Sequence, residues 1–463
     1  VAIGMSIGTA AAGDTLTTAD LQSALADAVV IDAGALGLAS WSGADWASPL
    51  RTVCTGPVMS SWVYRKPVGA DPHLVAWLEV RLYADGAVEV LPWIENGYLT
   101  GTEHTNKSET YTFDLGGTER FSAAIDLPGF CRTPLVSGAT LTHWLGTAPG
   151  FNVRHDAEYL MATELVPTYG VTVPSGNAAV TALPSTYTPL QQGSFPTNMG
   201  VAGADGSIGL LPMWDVLYLT TDASTTWAAL QRNAYSAGRY GLHLRDVSTH
   251  RPVAFSEHPT RALTAGQVIS DAAGISSDGQ YAPTRTGTAP VGWATSHHPS
   301  VGYMAALVTG WEYHIETAQF SAGIGYLKQN DAATHRDGAK GLIRSHAGAN
   351  QVRGAAWSLR TLAQAAAITQ DASPLKAEFL ASWQHNIDHY HARYVAQSNN
   401  PQGFVTPNSD QTGTGDGVFV AQPWMDDFFT AAIGYGRALA LGEASTQATR
   451  LQEFFEWKAR AVV

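Results

Sequence analysis

Two glycine turns limit what this chain can fold into more than any other feature. Ala84-Asp85-Gly86 separates residues 73–83 from 87–94, and Gly116-Gly117 separates 109–115 from 118–125. Apolar, β-branched and aromatic residues partly alternate on both sides of each turn. Asp-Gly and Gly-Gly tolerate the positive φ that tight hairpins require, so each stretch predicts an antiparallel hairpin. Residues 15–45 allow one short helix and a strand, and further β-branched runs lie at 139–145 and 170–173. The first 200 residues are therefore expected to form an antiparallel β-sandwich.

The texture then changes. Residues 175–210 are rich in Pro, Gly, Ser and Thr without helical or strand periodicity, which reads as a linker or a wrapping loop. The boundary falls near 205, giving a β-sandwich domain with its linker over 1–205 and a helical domain over 206–463. Helices are expected at 225–240, 300–309, 311–329, 350–370, 374–397, 424–441 and 445–461. Alternating short and long connections suggest antiparallel helix pairs, arranged as a bundle or as an α/α toroid, an incomplete barrel of helix pairs. Arg353, Trp357 and Arg360 share one helical face at i, i+4 and i+7, which favours the toroid with a polar central cleft. The fold class is multidomain α+β.

At 463 residues the chain is too long for one core, and 45% hydrophobic with 14% charged residues describes a globular protein. A net charge of −13 opposes a nucleic-acid or anionic-membrane partner but leaves room for an acidic polysaccharide bound by local arginines. No run approaches 18 apolar residues, so no membrane span is expected. Cys54 and Cys131 allow one disulfide or two free thiols. Oligomeric state is not legible.

The chemically suggestive residues gather in Gly292-Trp-Ala-Thr-Ser-His-His-Pro-Ser-Val-Gly-Tyr303, a loop entering a helix. His298, beside Pro299, is the expected base and His297 its support. Either histidine also suits a helix cap. Arg353 and Arg360 match carboxylates in bidentate geometry, with Trp357 between them as a flat surface for a sugar. The alternative is an interhelical salt bridge. Arg344 and His346, in the preceding loop, fit either version.

His385, His389 and His391 have zinc-like spacing, yet no HExxH glutamate follows His385, so packing or exposure is the better account and no metal is expected. Two carboxylate pairs, Asp426 with Asp427 and Glu312 with Glu316, suit an inverting glycoside hydrolase, although aspartate at a helix start is the ordinary cap.

Four stretches resemble the exo-rhamnogalacturonan-lyase-like proteins and related α/α-toroid polysaccharide lyases. They are Val153-Arg-His-Asp-Ala-Glu-Tyr-Leu-Met-Ala-Thr163, Leu242-His-Leu-Arg-Asp246, His298-Pro-Ser-Val-Gly-Tyr303 with Leu307-Val-Thr-Gly310, and Arg353-Gly-Ala-Ala-Trp357-Ser-Leu-Arg360. The likeness spans most of residues 50–440. It implies a β-sandwich followed by an α/α toroid, and β-elimination on a uronate polysaccharide. The family generally adds a further β-domain, which these residues do not show, and that leaves the substrate open. A secreted or virion-associated setting is expected over a cytoplasmic one.

Elimination needs a neutralised uronate carboxylate, a base for the C5 proton and an acid for the leaving oxygen. The catalytic expectation is His298 as base, Tyr303 or His243 as acid or second base, and Arg353 as carboxylate clamp. Arg245, Arg360, Arg344, His297, Trp293, Trp357 and Trp424 are expected to bind substrate, without a cofactor. A glycoside hydrolase is the runner-up, and a non-catalytic glycan-binding or virion protein the third reading.

Overall fold

The computed structural model describes residues 15–100, 102–149, 155–197, 199, 205–257, 285–327, 337, 340–345, 351–397, 401–405 and 423–462. His346, Val153 and Arg154 lie outside the described residues. The chain opens with α1 (Thr18–Ala24), begun by a capping box in which Thr17 and Asp20 exchange hydrogen bonds. Twelve strands follow: β1 (Val29–Asp32), β2 (Leu38–Trp41), β3 (Arg51–Cys54), β4 (Met59–Pro67), β5 (Leu74–Tyr83), β6 (Val88–Asn96), β7 (Tyr98–Leu99), β8 (His104–Thr105), β9 (Lys107–Leu115), β10 (Thr118–Leu127), β11 (Arg132–Pro134) and β12 (His143–Leu145).

Both hairpins form where the turn chemistry puts them. Gly116 and Gly117 have φ of 62° and 67° and close β9 onto β10, with Leu115 opposite Thr118. Between β5 and β6, Tyr83 N–H donates to Ala87 O at 3.0 Å and closes the Ala84-Asp85-Gly86 turn, with Gly86 at φ 84°. The first sheet runs β10-β9-β1-β2 and the second β11-β6-β5-β4-β3, with β12 also on β6; all these pairings are antiparallel. Their facing side chains, among them Ile31, Trp41, Phe113, Leu78 and Val80, make one core. The run at 170–173 forms no strand, because its neighbour is a helix end: Val173 N–H donates to Thr220 O at 2.7 Å.

β5 and β6 are buried on both faces. Leu74, Ala76, Leu78, Val80 and Leu82 point to the first sheet. The alternate residues Val75 and Trp77, with Leu91 and Trp93 of β6, pack against the aromatic side chains Tyr235, Trp311 and Tyr313 of the helical part. By the two-residue period of a strand, Glu79, Arg81, Glu89 and Glu95 share that second face. Charged residues on a covered face must find partners there.

The remaining elements are α2 (Ala157–Ala162), α3 (Ala178–Thr181), α4 (Met213–Thr220), α5 (Thr225–Ser236), β13 (Arg245–Asp246), β14 (Arg285–Thr286), α6 (Tyr303–Thr309), α7 (Glu312–Leu327), α8 (Val352–Ile368), α9 (Pro374–Tyr390), α10 (Pro423–Ala438) and α11 (Ser445–Lys458). Antiparallel sheets toward the N-terminus and helices toward the C-terminus make the chain α+β. α8 packs against α6, α7, α9 and α10, and every residue from Val352 to Ala366 is buried. Its Gly354, Ala355, Ala356, Ala363, Ala365 and Ala366 let neighbours approach closely. The stretch read as a linker or wrapping loop contributes Val180, Leu183, Phe195 and Met199 to the helical core. Cys54 and Cys131 are free thiols, one exposed and one buried. No described helix is long and apolar enough to cross a membrane.

The loop entering α6 depends on one glycine. Gly302 has φ 75°, and a Cβ there would lie 2.4 Å from His314 O and 2.8 Å from Thr317 Cβ. The left-handed backbone costs a non-glycine residue roughly 1–2 kcal/mol, and overpacking against α7 adds about as much again. Gly302→Ala is therefore expected to lower stability by ~2–4 kcal/mol in urea unfolding. Gly86→Ala, also at positive φ but with open space around it, should lose only the first part. Equal losses at the two positions would contradict this account.

Candidate functional site

The loop carrying the two histidines docks on α8, so the structure does bring the two sequence-predicted clusters together. His298 is fully buried. Its Nδ1 lies 2.7 Å from Thr295 O and its Nε2 3.0 Å from Thr361 Oγ1. A carbonyl can only accept, so Nδ1 carries the proton and the Thr361 hydroxyl donates to Nε2. With both nitrogens engaged and no solvent access, His298 is a holding residue in this arrangement. Ser300 adds a second tie, donating from Oγ to Gln364 Oε1 at 2.8 Å.

Arg360 belongs to the same holding set. Its guanidinium donates to Gly209 O, to His298 O at 3.1 Å and to Thr361 Oγ1 at 3.0 Å, and it is fully buried. Burial pulls its pKa down to about 9. Trp357 is enclosed between Arg360, 5.0 Å from its ring, and Phe428, 4.9 Å between centroids. Neither presents a surface to a sugar. Trp293 is buried too, edge-on to Tyr240 and 5.4 Å from the His298 ring.

Tyr303 donates from its hydroxyl to Leu165 O at 2.7 Å, an oxygen that also accepts from Tyr435 at 2.7 Å. Burial, with Tyr435 beside it, raises its phenol well above the ordinary tyrosine value, which counts against the acid role. His243 is fully buried, with Nδ1 3.2 Å from both Phe130 O and Tyr240 O. Burial, then the charge of Arg132, keeps its ring neutral far below the usual histidine range, and Phe320 meets it edge-on.

A smaller group lies nearer the surface, with Trp424 exposed and Arg353 and His297 largely buried. His297 retains 9% exposure and Trp424 39%. His297 Nδ1 is 3.0 Å from Ser296 Oγ. Burial, then the charge of Arg353, lowers its pKa to about 4, so the ring is neutral at pH 7. The Arg353 guanidinium lies 5.0 Å from the Trp424 ring centroid, and its Nη2 donates to Gln351 Oε1 at 3.4 Å. A neutral imidazole and a cation, both largely buried, thus lie beside an exposed indole. Sequence reading gives the base role to His298 with His297 in support, and leaves Gln351 unread.

The other predicted residues are held elsewhere. Arg245 is fully buried in a seam network between sheets and helices, stacked 4.2 Å over Trp77. It binds Glu95 through Nε and Nη2, the latter at 2.9 Å, and Glu316 through Nη1 and Nη2 at 2.8 and 2.6 Å. Arg51 joins Glu312 at 2.7 Å and Glu316 at 2.9 Å, and Arg132 reaches Glu316 at 3.2 Å. The Glu312 and Glu316 pair is therefore an ion-pair device, whereas Asp426 is tied to Lys458 at 2.8 Å and accepts from Val405 N–H at 2.9 Å. The Oδ1 of Asp427 is buried and has no partner among the described residues.

Arg344 is half-buried, and its charge acts on His389, whose pKa burial lowers to about 4. His385 faces Asp337 at 3.0 Å and His391 faces Glu453 at 2.6 Å. Among the described residues no group of three or more His, Cys, Asp or Glu is placed to hold a metal ion.

Comparison of the chain with protein-family models, with curated proteins and with solved structures found no match. The resemblance read in the sequence rests on its motif residues alone.

Proposed function

We propose that this chain cleaves an acidic, uronate-containing polysaccharide by β-elimination, at a site built from His297, Arg353 and Trp424. The reading pictures the two sheets as a β-sandwich and the helices as an α/α toroid whose mouth holds the site, in a secreted or virion-associated protein. The observation that carries it is the meeting of a neutral imidazole, a guanidinium and an exposed indole at one place.

Each has a task in elimination. Arg353 would neutralise the uronate carboxylate, which stabilises the enolate-like charge as the C5 proton leaves. His297, unprotonated at neutral pH, would take that proton, and as the C4–O bond breaks the imidazolium so formed would hand it to the departing glycosidic oxygen. Trp424 would carry the flat C–H face of a neighbouring sugar. His298, Arg360 and Thr361 would act as positioning residues, since they fasten the loop to α8. A hydrolase needs two carboxyls free to flank a glycosidic bond. Glu316 is bound by three arginines and Asp426 by Lys458, which gives that reading less support.

The test is turnover of a panel of polygalacturonate, alginate, hyaluronan and rhamnogalacturonan, followed by ultraviolet absorbance of the conjugated unsaturated uronate. Absorbance should rise with at least one polymer. New reducing ends without that absorbance would replace the lyase with a hydrolase.

A further inference from the structure

A cleft of about 500 Å³ lies at the seam of β5, β6 and β12 with α5 and the end of α6, built from residues the proposed reaction does not use. That volume is within the ~300–1,000 Å³ of ordinary small-ligand sites. On the sheet side the rings of Tyr83 and Trp144 stack with centroids 5.4 Å apart and planes 21° apart. Trp227 of α5 also lines the cleft. All three are half-buried, leaving part of each side chain exposed.

Two oppositely charged side chains also line it, each more than nine-tenths buried. Glu89 is held by two donors, Tyr83 Oη and Thr142 Oγ1, both at 2.7 Å. A carboxylate has about four lone-pair sites, so acceptor capacity remains. Arg81 lies 3.5 Å over the Trp311 ring, donates from Nη2 to Thr309 O at 2.8 Å and faces Glu79 Oε1 at 3.8 Å, while its Nε is buried without a partner among the described residues. Gln231, buried on α5, adds an amide to the lining.

Burying a carboxylate and a guanidinium with hydrogen-bonding capacity unfilled is unfavourable unless something fills it. Aromatic faces interleaved with planar carboxylate, guanidinium and amide groups suit one ligand chemistry. A sugar ring has an apolar C–H face that lies on an indole and a rim of hydroxyls that both donate and accept.

We propose that this cleft is a glycan-binding site distinct from the His297 mouth, taking a short oligosaccharide with one ring on Trp144 and its hydroxyls on Glu89 and Arg81. It does not depend on the lyase reading, because the site binds and need not cleave.

The test is calorimetric titration of the full chain with cellotriose, mannotriose, N-acetylchitotriose and trigalacturonate, each to about 10 mM, which reaches Kd values near 1 mM. At least one should bind. Trp144→Ala and Glu89→Gln should each weaken binding at least about tenfold, ~1.4 kcal/mol. Leu38→Ala, at an exposed position on β2 of the first sheet, should leave the affinity within about twofold, ~0.4 kcal/mol. Thermal melting checks each variant, and Glu89→Gln, which preserves shape, decides the matter if Trp144→Ala does not fold. No binding by the wild type overturns the proposal, as does binding that Glu89→Gln leaves unchanged or that Leu38→Ala abolishes. A chain that binds but never yields unsaturated product would retain this site and lose the lyase reading.

Discussion

Glu316→Ala is expected to destabilise the fold by about 3–5 kcal/mol, the usual cost of removing one partner from a buried ionic group. One fully buried carboxylate here answers three guanidiniums: Oε1 accepts from Arg51 at 2.9 Å and Arg245 at 2.8 Å, and Oε2 from Arg245 at 2.6 Å and Arg132 at 3.2 Å. Without it, Glu95 and Glu312 must balance Arg51, Arg132 and Arg245. The loss falls on the contact between sheets and helices, because Arg51 and Arg132 come from strands and Glu316 from α7. Urea unfolding of the full chain measures it, and a loss below about 1 kcal/mol would mean the sheets and helices hold together without this network.

Acid should act on the same group. Burial works against the Glu316 charge, yet Arg245, Arg51 and the Arg245 hydrogen bonds hold its carboxyl well below the ordinary carboxylate range. A depressed folded-state pKa contributes stability above the unfolded value, near 4.3, and loses it as pH falls toward the folded one. Glu79 has the opposite sign: burial raises it to about 8, so its folded form keeps a proton that the unfolded chain releases. Stability should therefore also decline as pH rises from the unfolded carboxylate value toward 8. Glu79→Gln should flatten that alkaline slope while leaving the acid limb to Glu316.

This network also marks where sequence reading stops. The hairpins were legible because their signal is local: Asp85-Gly86 and Gly116-Gly117 carry their own backbone requirement. The helices were legible within a few residues from periodicity, except the short Ala157–Ala162, Ala178–Thr181 and Met213–Thr220, the second lying inside the stretch read as a linker. Glu79, Arg81, Glu89 and Glu95 alternate with apolar residues, which by itself reads as a solvent face. α5 and the start of α7 pack on that face, and nothing local in β5 or β6 encodes which distant helices will arrive. Arg353, Trp357 and Arg360 likewise share a face, as their spacing requires, but α8 is buried all round, and so Trp357 and Arg360 are enclosed while Arg353 lies against the exposed Trp424. One residue of offset divides the histidines in the same way.

That offset yields the sharpest functional expectation: His297→Ala should lower turnover of the responsive uronate polymer by ~10² to 10⁴, the range for loss of a general base, with little change in stability. His298→Ala should behave differently. It removes the acceptor of the Thr361 hydroxyl and the donor to Thr295 O inside a closed core, so it should lower the unfolding midpoint, and activity should fall with the folded fraction. With a base whose pKa lies near 4, kcat/KM should rise through that pH and stay level to neutrality. Arg353→Lys keeps the positive charge but loses the planar fork that grips a carboxylate, so it should raise KM for uronate polymers while leaving that pH limb in place. If His297→Ala retains activity within about tenfold and His298→Ala abolishes it without loss of stability, the two histidines exchange roles, and the loop must open from α8 for His298 to reach substrate.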